Sequence, residues 1–535
     1  MKKFLTLILC LAMVFAFTAC GGGGSSDGGE DFVATACIAS EPETIDPSLI
    51  SSVDGSTYVN HMFENLMKYV PTDEKADESG NVMMTKVDLG QAASYEVSDD
   101  GLVYTFKIRE DAKWSDGEPV KAQDWVYSWQ RLVDPNTASD YGYFLDGVVV
   151  NAAEIQAGEK DPSELAIKAV DDSTLEITLC QDTPYFLELC AFASLMPLRE
   201  DVVSAGDDWA TPEKIVCNGP YKLSEWTHDS VIKMVPNDQY YDAANLGPSE
   251  IDWYLSADET AILSAYQSGE WAFVESFPTD MISSLQDSGD CFIDPYVGTY
   301  YLYLNCDQIK DWRVRAAMVL SVDRQNIVDN VSQGGQTPAT GFVASGILDS
   351  TGADFAFGSS DLGAMYAWLS EAYPDADLTT YDGKCELAKK LYQEAVDEGA
   401  WDTNTTIVYN FNTDDAHKAI AEACGQDWSN VLGIKITLAN QEWNTYTNGL
   451  GEHTFGVARL GWIADYNDPI TYLELMVTGN SYNYGLYSDP DFDAAIKTAK
   501  ATAAGPERDK ALYEAEETLF GEGGFPVCPI YYYTN

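Results

Sequence analysis

The stretch that decides the fold is LVYTFKIREDAKWSDGEPVKAQDWVYSWQRLVDP, residues 102–135. Every second residue from Leu102 to Ile108 is apolar, which is the period of a half-buried β-strand. The segment SDGEPVKAQDWVYSWQRLVDP then predicts a turn and a helix that ends before Pro135, because proline disfavours the helical conformation in the residue before it. The apolar face of the predicted strand consists of Leu102, Tyr104, Phe106 and Ile108.

Strand and helix patterns alternate through the rest of the chain. DSTLEITL (172–179) repeats the strand pattern, and DETAILSAYQSG (258–269) predicts a helix with Asp258 at its start and Gly269 just past its end. DGKCELAKKLYQEAVDEG (382–399) predicts a longer helix, and DPDFDAAIKTAKATAAG and PERDKALYEAEETLF predict two more near the C-terminus. The sequence therefore predicts a mixed α/β chain of several lobes joined by acidic loops.

The first twenty residues, MKKFLTLILCLAMVFAFTAC, predict an export signal. Lys2 and Lys3 precede an apolar stretch that is too short to span a membrane. The pattern resembles the bacterial lipoprotein signal, which predicts a lipid anchor on Cys20 and a flexible tether over residues 21–30. An ordinary secretory signal cleaved nearby is the alternative. Because no later segment is long and apolar enough to span a bilayer, we expect the mature domain to lie outside the membrane.

The composition bounds the class of protein. A mature chain of about 510 residues predicts two or three domains. The formal net charge of −56 argues against a nucleic-acid partner, since phosphate binding needs clustered lysines and arginines. A hydrophobic content of 45% argues against disorder, so we interpret the acidity as the solubility feature of an exported surface.

No catalytic or metal-binding motif stands out. The nine mature cysteines include no CxxC pair, so neither a zinc site nor a disulfide framework is predicted. DPDFDAAIKTAK begins like a calcium loop, but it has Ala494 and Lys500 where Gly and Glu are needed. We predict no metal, no cofactor and no enzymatic activity; an exported hydrolase using two carboxylates is the alternative. The four histidines lie far apart: His61, His228, His417 and His453.

The segment GWIADYNDP (461–469) places a carboxylate, Asp465, behind an apolar strand and between Trp462 and Tyr466. Removing a carboxylate from water is costly unless a cation or several hydrogen-bond donors meet it. Asp465 is therefore a candidate binding residue. An aspartate that caps a turn or pairs with Arg459 is the alternative.

Five stretches in order resemble the extracytoplasmic solute-binding proteins of peptide-importing ABC transporters, family 5, and specifically the oligopeptide-binding branch. The resemblance runs from residue 41 to the last residue, and residues 106–139 resemble the family's signature of a strand, a turn and a helix. The five are EPETIDP (41–47), FKIREDAKWSDGEPVKAQDWVYSWQRLVDPNTAS (106–139), CNGPYKLSEW (217–226), RVRAAMVLSVDRQNIV (313–328) and NQEWNTYTNGLGEHTFGVARLGWIADYNDP (440–469).

The resemblance implies an α/β fold of the periplasmic-binding-protein-like type II, with three lobes and a hinged cleft that encloses the peptide. In the family the chain continues beyond the strand that resembles PIYYYTN, so we expect this sequence to be a fragment lacking part of domain I; an unusually trimmed edge of that domain is the alternative. The implied boundaries are 31–77, 205–297 and 531–535 for domain I, 78–204 for domain II and 298–530 for domain III.

The resemblance also implies ligand-binding residues. Asp465 matches the aspartate that pairs with the α-ammonium of the bound peptide, a cation that every peptide carries. Trp462 and Trp443 match positions where aromatic faces line side-chain pockets, with a core position as the alternative for each. Arg459 matches the arginine six residues before the aspartate and is expected to face the peptide or its waters.

Two further candidates lie outside that motif. His417, 26 residues before Trp443, matches a histidine that can meet the peptide C-terminus; a structural histidine at a helix start is the alternative. In ASDYGYF, Tyr141 rather than Tyr143 is our choice for a tyrosine that hydrogen-bonds the bound backbone.

The chain departs from the family pattern at the end that receives the peptide carboxylate. Val319 and Leu450 replace a lysine and an arginine, and Tyr303 stands where a glutamate is expected. Gly298 and Ile463 stand where some relatives carry a disulfide. We therefore expect an intact anchor for the amino end but a different preference for peptide length or C-terminal character.

The implied function is a lipid-anchored receptor on the extracytoplasmic face of a bacterial cell membrane, or in the periplasm if there is an outer membrane. It is expected to close around an oligopeptide and deliver it to the permease subunits of an ABC transporter. The expected partners are the peptide, the permease and the membrane, with no nucleic acid, and the expected state is a monomer. A dipeptide, an oligosaccharide or a nickel complex is the alternative ligand.

Overall fold

The computed structural model describes residues 32–38, 41–72, 85–358 and 360–535. These residues form two compact units that meet in sequence between Phe277 and Pro278. Cys20, the predicted signal and the tether lie outside the described residues. Among the described residues, no helix combines the length and the apolar character needed to cross a membrane. The division into three domains stays a prediction.

The N-terminal unit contains two sheets and a hairpin. Its strands are β1 (Val33–Cys37), β2 (Met67–Pro71), β3 (Thr85–Leu89), β4 (Ala92–Val97), β5 (Val103–Ile108), β6 (Ile167–Asp171), β7 (Thr174–Thr178), β8 (Tyr221–Thr227), β9 (Val231–Pro236), β10 (Glu250–Tyr254) and β11 (Phe273–Val274). One sheet has the order β11-β1-β10-β9-β8, the other is antiparallel with the order β4-β5-β7-β6, and β2 pairs with β3. Its helices are α1 (Val53–Met62), α2 (Ala122–Val133), α3 (Ala152–Gln156), α4 (Phe186–Leu189), α5 (Glu200–Val203) and α6 (Glu259–Ser268).

The stretch that opened the sequence folds as its pattern predicts. In β5, Tyr104, Phe106 and Ile108 are buried on one face. Helix α2 ends at Val133, two residues before Pro135, and buries Trp125 and other apolar residues against the unit. Period two and the proline stop thus predict a strand and a helix here correctly.

An ion pair between a half-buried arginine and a buried aspartate joins two of the sequence motifs of this unit. Arg131 of α2 donates two hydrogen bonds to the carboxylate of Asp46, with Nη1 2.8 Å from Oδ1 and Nη2 2.7 Å from Oδ2. Asp46 belongs to EPETIDP, so this pair connects the start of the unit to the signature helix. Its bidentate geometry is the strong form of an arginine–carboxylate contact.

The C-terminal unit contains one six-stranded mixed sheet. Its strands are β12 (Pro295–Leu304), β13 (Thr337–Pro338), β14 (Thr406–Asn412), β15 (Lys435–Gln441), β16 (Val457–Ile463) and β17 (Val527–Thr534), in the order β13-β17-β12-β16-β14-β15. Strand β12 is antiparallel to both neighbours, while β14 is parallel to β15 and β16. Its helices are α7 (Ile282–Ser288), α8 (Trp312–Leu320), α9 (Arg324–Asn326), α10 (Ala364–Ala372), α11 (Tyr381–Asp397), α12 (Asp415–Leu432), α13 (Trp443–Leu450), α14 (Ile470–Leu473), α15 (Pro490–Lys500) and α16 (Pro506–Leu519), and a π-helix follows α9 at Ile327–Ser332.

Two buried arginines of the motif RVRAAMVLSVDRQNIV fasten β17 and the loop before it. Arg315 donates to the carbonyls of Gly523 and Gly524, and Arg324 Nε donates to the carbonyl of Pro529 at 2.7 Å. Backbone carbonyls satisfy these guanidinium groups, as buried polar groups require. The motif thus has a structural role in this unit.

Predictions of local structure hold elsewhere in the chain. The side chain of Asp258 caps α6, and Gly269 ends it in the left-handed conformation at φ 78°. The calcium-like segment forms α15 rather than a metal loop, as predicted. All nine described cysteines are free thiols, and six of them are buried, as expected for small apolar residues.

Candidate functional site

The turn that follows β16 carries Asp465, and the hydroxyl of Thr471 forms three hydrogen bonds in and next to this turn. The Asp465 N–H donates to Thr471 Oγ1 at 3.1 Å, and this hydroxyl lies 3.4 Å from Asp465 Oδ2, to which it donates. The indole N–H of Trp462 donates to the same oxygen at 3.3 Å. Thr471, at the second position of α14, therefore joins the predicted anchor to its predicted apolar wall. Asp465 itself is half-buried, so its carboxylate is partly withdrawn from water.

Two buried ion pairs support the residues around Asp465. Asp468 accepts two hydrogen bonds from Arg508, at 2.6 and 2.8 Å, and both residues are 5% exposed. The hydroxyl of Tyr466 donates to Glu474 Oε1 at 2.9 Å, and Glu474 is paired with Lys500. Burial raises the pKa of Glu474, while Lys500 opposes this shift by stabilising the charged form.

Arg459 does not pair with Asp465, which sets aside one of the alternatives considered for the aspartate. Its Nη1 donates to Asn412 Oδ1 at 2.8 Å, its Nη2 lies 3.5 Å from the hydroxyl of Tyr533, and its guanidinium carbon lies 5.1 Å from the centre of the Tyr300 ring. Its Nε is buried and has no hydrogen-bond partner among the described residues. Leaving a buried N–H group without an acceptor costs free energy. We therefore expect a ligand or a water molecule to accept a hydrogen bond from this nitrogen.

The sheet separates Arg459 from Trp462. In the antiparallel pairing of β12 with β16, Leu302 lies opposite Arg459 and Thr299 lies opposite Trp462. Side chains alternate between the two faces of a strand, so positions three apart project from opposite faces. The structure thus brings Trp462 together with Asp465. Arg459 lies with Tyr300 and His417, a group that we call the Arg459 cluster.

His417 contributes both to the start of a helix and to the Arg459 cluster. Its N–H donates to Asp414 Oδ1 at 2.7 Å, which caps α12, and its Nδ1 lies 3.4 Å from the hydroxyl of Tyr300. Burial, together with the positive charge of Arg459, holds the pKa of His417 well below its usual value. The imidazole is therefore neutral at pH 7, and Arg459 supplies the positive charge of this cluster.

Trp443 is the first residue of α13 and is half-buried. Its ring lies 6.4 Å from the ring of Tyr446, centroid to centroid. The Tyr446 hydroxyl donates to the carbonyl of Arg459 and lies 3.4 Å from the carbonyl of Asn410. Tyr446 thereby fastens α13 to β14 and β16, and Trp443 lies one helical turn before it.

Sequence reasoning missed two polar groups of this region. The side-chain oxygens of Asn410 and Asn444 are buried without a donor among the described residues. Unpaired buried oxygens of this kind are accounted for by bound water or by a ligand. A signal existed in NFN (410–412), which places polar side chains on one face of a strand, while Asn444 had none.

Tyr141 lies in the N-terminal unit, whereas the other five candidates lie in the C-terminal unit. It is 6% exposed and precedes a turn of 3₁₀ helix at Gly142–Leu145. Its ring packs against Phe144 and Phe192, with centroids 5.2 and 5.1 Å apart. Its role in hydrogen-bonding a peptide stays a prediction.

The positions that depart from the family pattern are filled by apolar or phenolic packing. Val319 is 0% exposed and Leu450 is 2% exposed, so neither presents a polar group. Tyr303 is also buried, and its hydroxyl donates to the carbonyl of Tyr482 at 2.5 Å. Gly298 lies directly opposite Ile463 in the β12–β16 ladder, as a disulfide between these positions would require.

Comparison with known proteins places these features in a family. The family model described as bacterial extracellular solute-binding proteins, family 5, middle region, matches residues 86–484. The oligopeptide-binding protein OppA of Bacillus subtilis is 32% identical over 100% of this chain and 95% of its own length. The periplasmic oligopeptide-binding protein OppA of Salmonella typhimurium is 35% identical over 93% of this chain and 86% of its own length.

A solved structure supports the fold independently. Haemophilus influenzae OppA in complex with the peptide RPPGFSPFR superposes with a TM-score of 0.82 at 28% identity, covering 95% of this chain and 94% of the other. This match confirms the predicted mixed α/β fold of the periplasmic-binding-protein-like type II.

Proposed function

The chain belongs to the bacterial extracellular solute-binding proteins of family 5, and on that premise we propose that it is a receptor that binds oligopeptides through Asp465 and delivers them to an ABC transporter permease. The family consists of binding proteins rather than enzymes, so the prediction of no enzymatic activity is confirmed. The relatives named above are oligopeptide-binding proteins, and one of them is solved with a peptide.

The observation that carries the proposal is the half-buried carboxylate of Asp465, fixed through Thr471 beside Trp462. The α-ammonium of a peptide carries the opposite charge and three donors, so it matches this carboxylate without any reading of peptide sequence. Main-chain contacts then supply affinity, and aromatic surfaces such as Trp462 and Trp443 accept varied side chains. An oligosaccharide has no cation to offer Asp465, which favours the peptide over that alternative.

The natural ligand is the first test of this proposal. The protein is purified under native conditions and denatured, and the released small molecules are identified by mass spectrometry. We expect peptides of mixed sequence with free amino ends. Recovery of a sugar or a nickel complex instead would overturn the peptide assignment, and recovery of two-residue peptides alone would favour the dipeptide alternative.

We propose that capture of the peptide carboxylate is weak in this protein. Val319 and Leu450 offer no base, His417 is neutral, and one nitrogen of Arg459 is already bound to Asn412. Arg459 is thus the remaining base at this end, and it shares its guanidinium between Asn412 and any ligand carboxylate. The ligand carboxylate is therefore free to extend away from the site in longer peptides.

This weak capture leads to a prediction about the ligand. Amidation of the C-terminus of a bound peptide is expected to change its Kd by less than about fivefold, which is about 1 kcal/mol. The measurement is a titration with an acid and an amide of identical sequence, both with a free amino end. A loss of thirtyfold or more on amidation would show that the carboxylate is held firmly.

We also propose that the protein is monomeric, lies on the extracytoplasmic face of the membrane, and is tethered there by a lipid on Cys20. The export-signal pattern and the extracellular family support this location. The mass of the mature N-terminal peptide tests the anchor, because a lipid on Cys20 adds acyl chains that simple cleavage would not. An unmodified N-terminus would favour the ordinary secretory signal.

A further inference from the structure

The first turn of α16 carries an arginine, Arg508, that contacts Asp468 in the turn that carries Asp465. Arg508 donates from Nη1 to Asp468 Oδ2 at 2.6 Å and from Nη2 to Asp468 Oδ1 at 2.8 Å. The two residues are 40 positions apart in sequence, and each is 5% exposed. The pair therefore lies in the interior of the C-terminal unit and joins two distant segments of the chain.

The same carboxylate determines how α14 begins. Asp468 Oδ1 also accepts the N–H of Ile470 at 3.1 Å, and Ile470 is the first residue of α14. The next residue, Thr471, contacts both Asp465 and Trp462 through its hydroxyl. Hydrogen bonds thus link Arg508 to Asp468 and Asp468 to Ile470, and the neighbouring Thr471 links the start of α14 to Asp465.

Stability alone is a weak explanation for this pair. Withdrawing two charges from water costs several kcal/mol for each ion, and well-packed apolar residues are often as stable. A bidentate arginine–carboxylate pair does, however, fix the orientation of both partners. Its location in the turn that carries the proposed binding carboxylate makes that orientation useful, because a preorganised site spends less free energy on ordering when ligand binds.

We propose that Arg508 is a positioning residue for the amino-end anchor: through Asp468 and Thr471 it holds the Asp465 carboxylate in the orientation that receives the peptide ammonium. This inference rests on the proposed function of Asp465. Tyr466, which lies between Asp465 and Asp468 in sequence, donates a hydrogen bond to Glu474, so a second buried polar contact fixes the same turn.

The test compares two ligands of one sequence, a tripeptide with a free amino end and the same tripeptide acetylated there. Arg508→Met keeps an unbranched apolar stem but removes the guanidinium and both of its hydrogen bonds to Asp468. We expect the free-amino peptide to bind this variant roughly tenfold more weakly, a typical size for coupling through a contact network. The acetylated peptide should bind the variant as it binds the wild type. The ratio of the Kd of the acetylated peptide to the Kd of the free-amino peptide should therefore fall about tenfold.

Two companion variants separate positioning from loss of folding. Arg508→Met combined with Asp468→Leu removes the unpaired buried carboxylate that the single variant leaves behind, and it should show the same reduced ratio with a restored Tm. Arg508→Lys keeps the charge and can donate one of the two bonds, so its ratio should lie between those of the wild type and Arg508→Met.

Arg131→Met is the matched control. It breaks a pair of the same bidentate geometry, with Asp46, in the N-terminal unit. It should lower Tm as Arg508→Met does but leave the ratio unchanged. An unchanged ratio in Arg508→Met, or an equal fall in Arg131→Met, would overturn the positioning role while leaving Asp465 as the anchor. A wild type that binds both tripeptides equally would overturn the proposed function and this inference together.

Discussion

Replacement of Asp465 by Asn is expected to weaken the binding of a free-amino peptide by about 3 kcal/mol, roughly 150-fold, the scale measured when one partner of a buried charge pair is removed. Asparagine has the same shape as aspartate, and its side-chain oxygen can still accept from Thr471. The fold of the turn should therefore persist. What the variant loses is the negative charge that faces the ammonium.

The ligand and a second variant control this result. The N-acetylated form of the same peptide has no ammonium, so we expect its affinity to be equal for wild type and Asp465→Asn. Asp258→Asn changes an aspartate of the N-terminal unit that caps α6, where asparagine caps equally well, and should leave both affinities unchanged. A loss below threefold for the free-amino peptide in Asp465→Asn would contradict the role assigned to this residue.

Glu516 is expected to make the stability of the protein depend on pH. It is 0% exposed on α16, and its Oε1 accepts the N–H groups of Phe342 and Val343 at 2.7 and 3.0 Å. Its Oε2 has no hydrogen-bond partner among the described residues. Burial raises the pKa of this carboxyl to about 7, although the two backbone donors pull it the other way.

The sign of the effect follows from the direction of that shift. The folded state binds the Glu516 proton more tightly than the unfolded state, whose pKa is near 4.5. Its contribution to stability is therefore fully present below pH 4.5 and is lost as the pH rises towards 7. The free energy of unfolding should fall by about 3 kcal/mol across this interval on account of Glu516, and this contribution should be constant at higher pH.

Glu516→Gln isolates this contribution. The glutamine oxygen can accept both backbone N–H groups and its amide does not ionise, so the variant should lose this part of the pH dependence and exceed the wild type in stability at pH 8. Denaturant unfolding of both proteins from pH 4.5 to 8 measures the difference, in which the other carboxylates cancel. Glu514→Gln, an exposed position on the same helix, is the control and should follow the wild type. Identical pH profiles for wild type and Glu516→Gln would contradict the prediction.

The elements that could be predicted from sequence are those set by local rules. Alternation placed β5, a proline stop ended α2, and Asp258 and Gly269 marked the two ends of α6. The Asp465 motif was found because an acidic residue stood among aromatics directly after an apolar strand. These signals lie within a few residues of the features they specify, so a single sequence contains them.

Contacts between distant segments were not predictable in the same way. The pairing of Asp468 with Arg508 spans 40 positions in a chain with 86 acidic residues, so no spacing singles it out. Glu516 had a signal that was not used: it lies four residues after Leu512 and three before Leu519, on the apolar stripe of α16. An acid on such a stripe predicts a buried carboxyl.

Two positions where the family pattern has a lysine and an arginine show why a sequence comparison must be read together with the packing of the structure. Val319 and Leu450 were expected to alter the end of the site that receives the carboxylate, and in the structure both are buried among apolar neighbours. A lysine or arginine returned to either position would have to displace that packing or remain without a partner. The predicted change at the carboxylate end therefore concerns two positions in the core of the unit.

The central claim, that the protein holds a peptide by its ammonium group at Asp465, is tested most directly by calorimetric titration. Wild-type protein, freed of bound ligand by unfolding and refolding, is titrated with one oligopeptide in two forms, with its amino end free or acetylated. We predict that the free form binds at least about 100-fold more tightly, in line with the loss of a buried charge pair. Equal affinity for the two forms would contradict the claim.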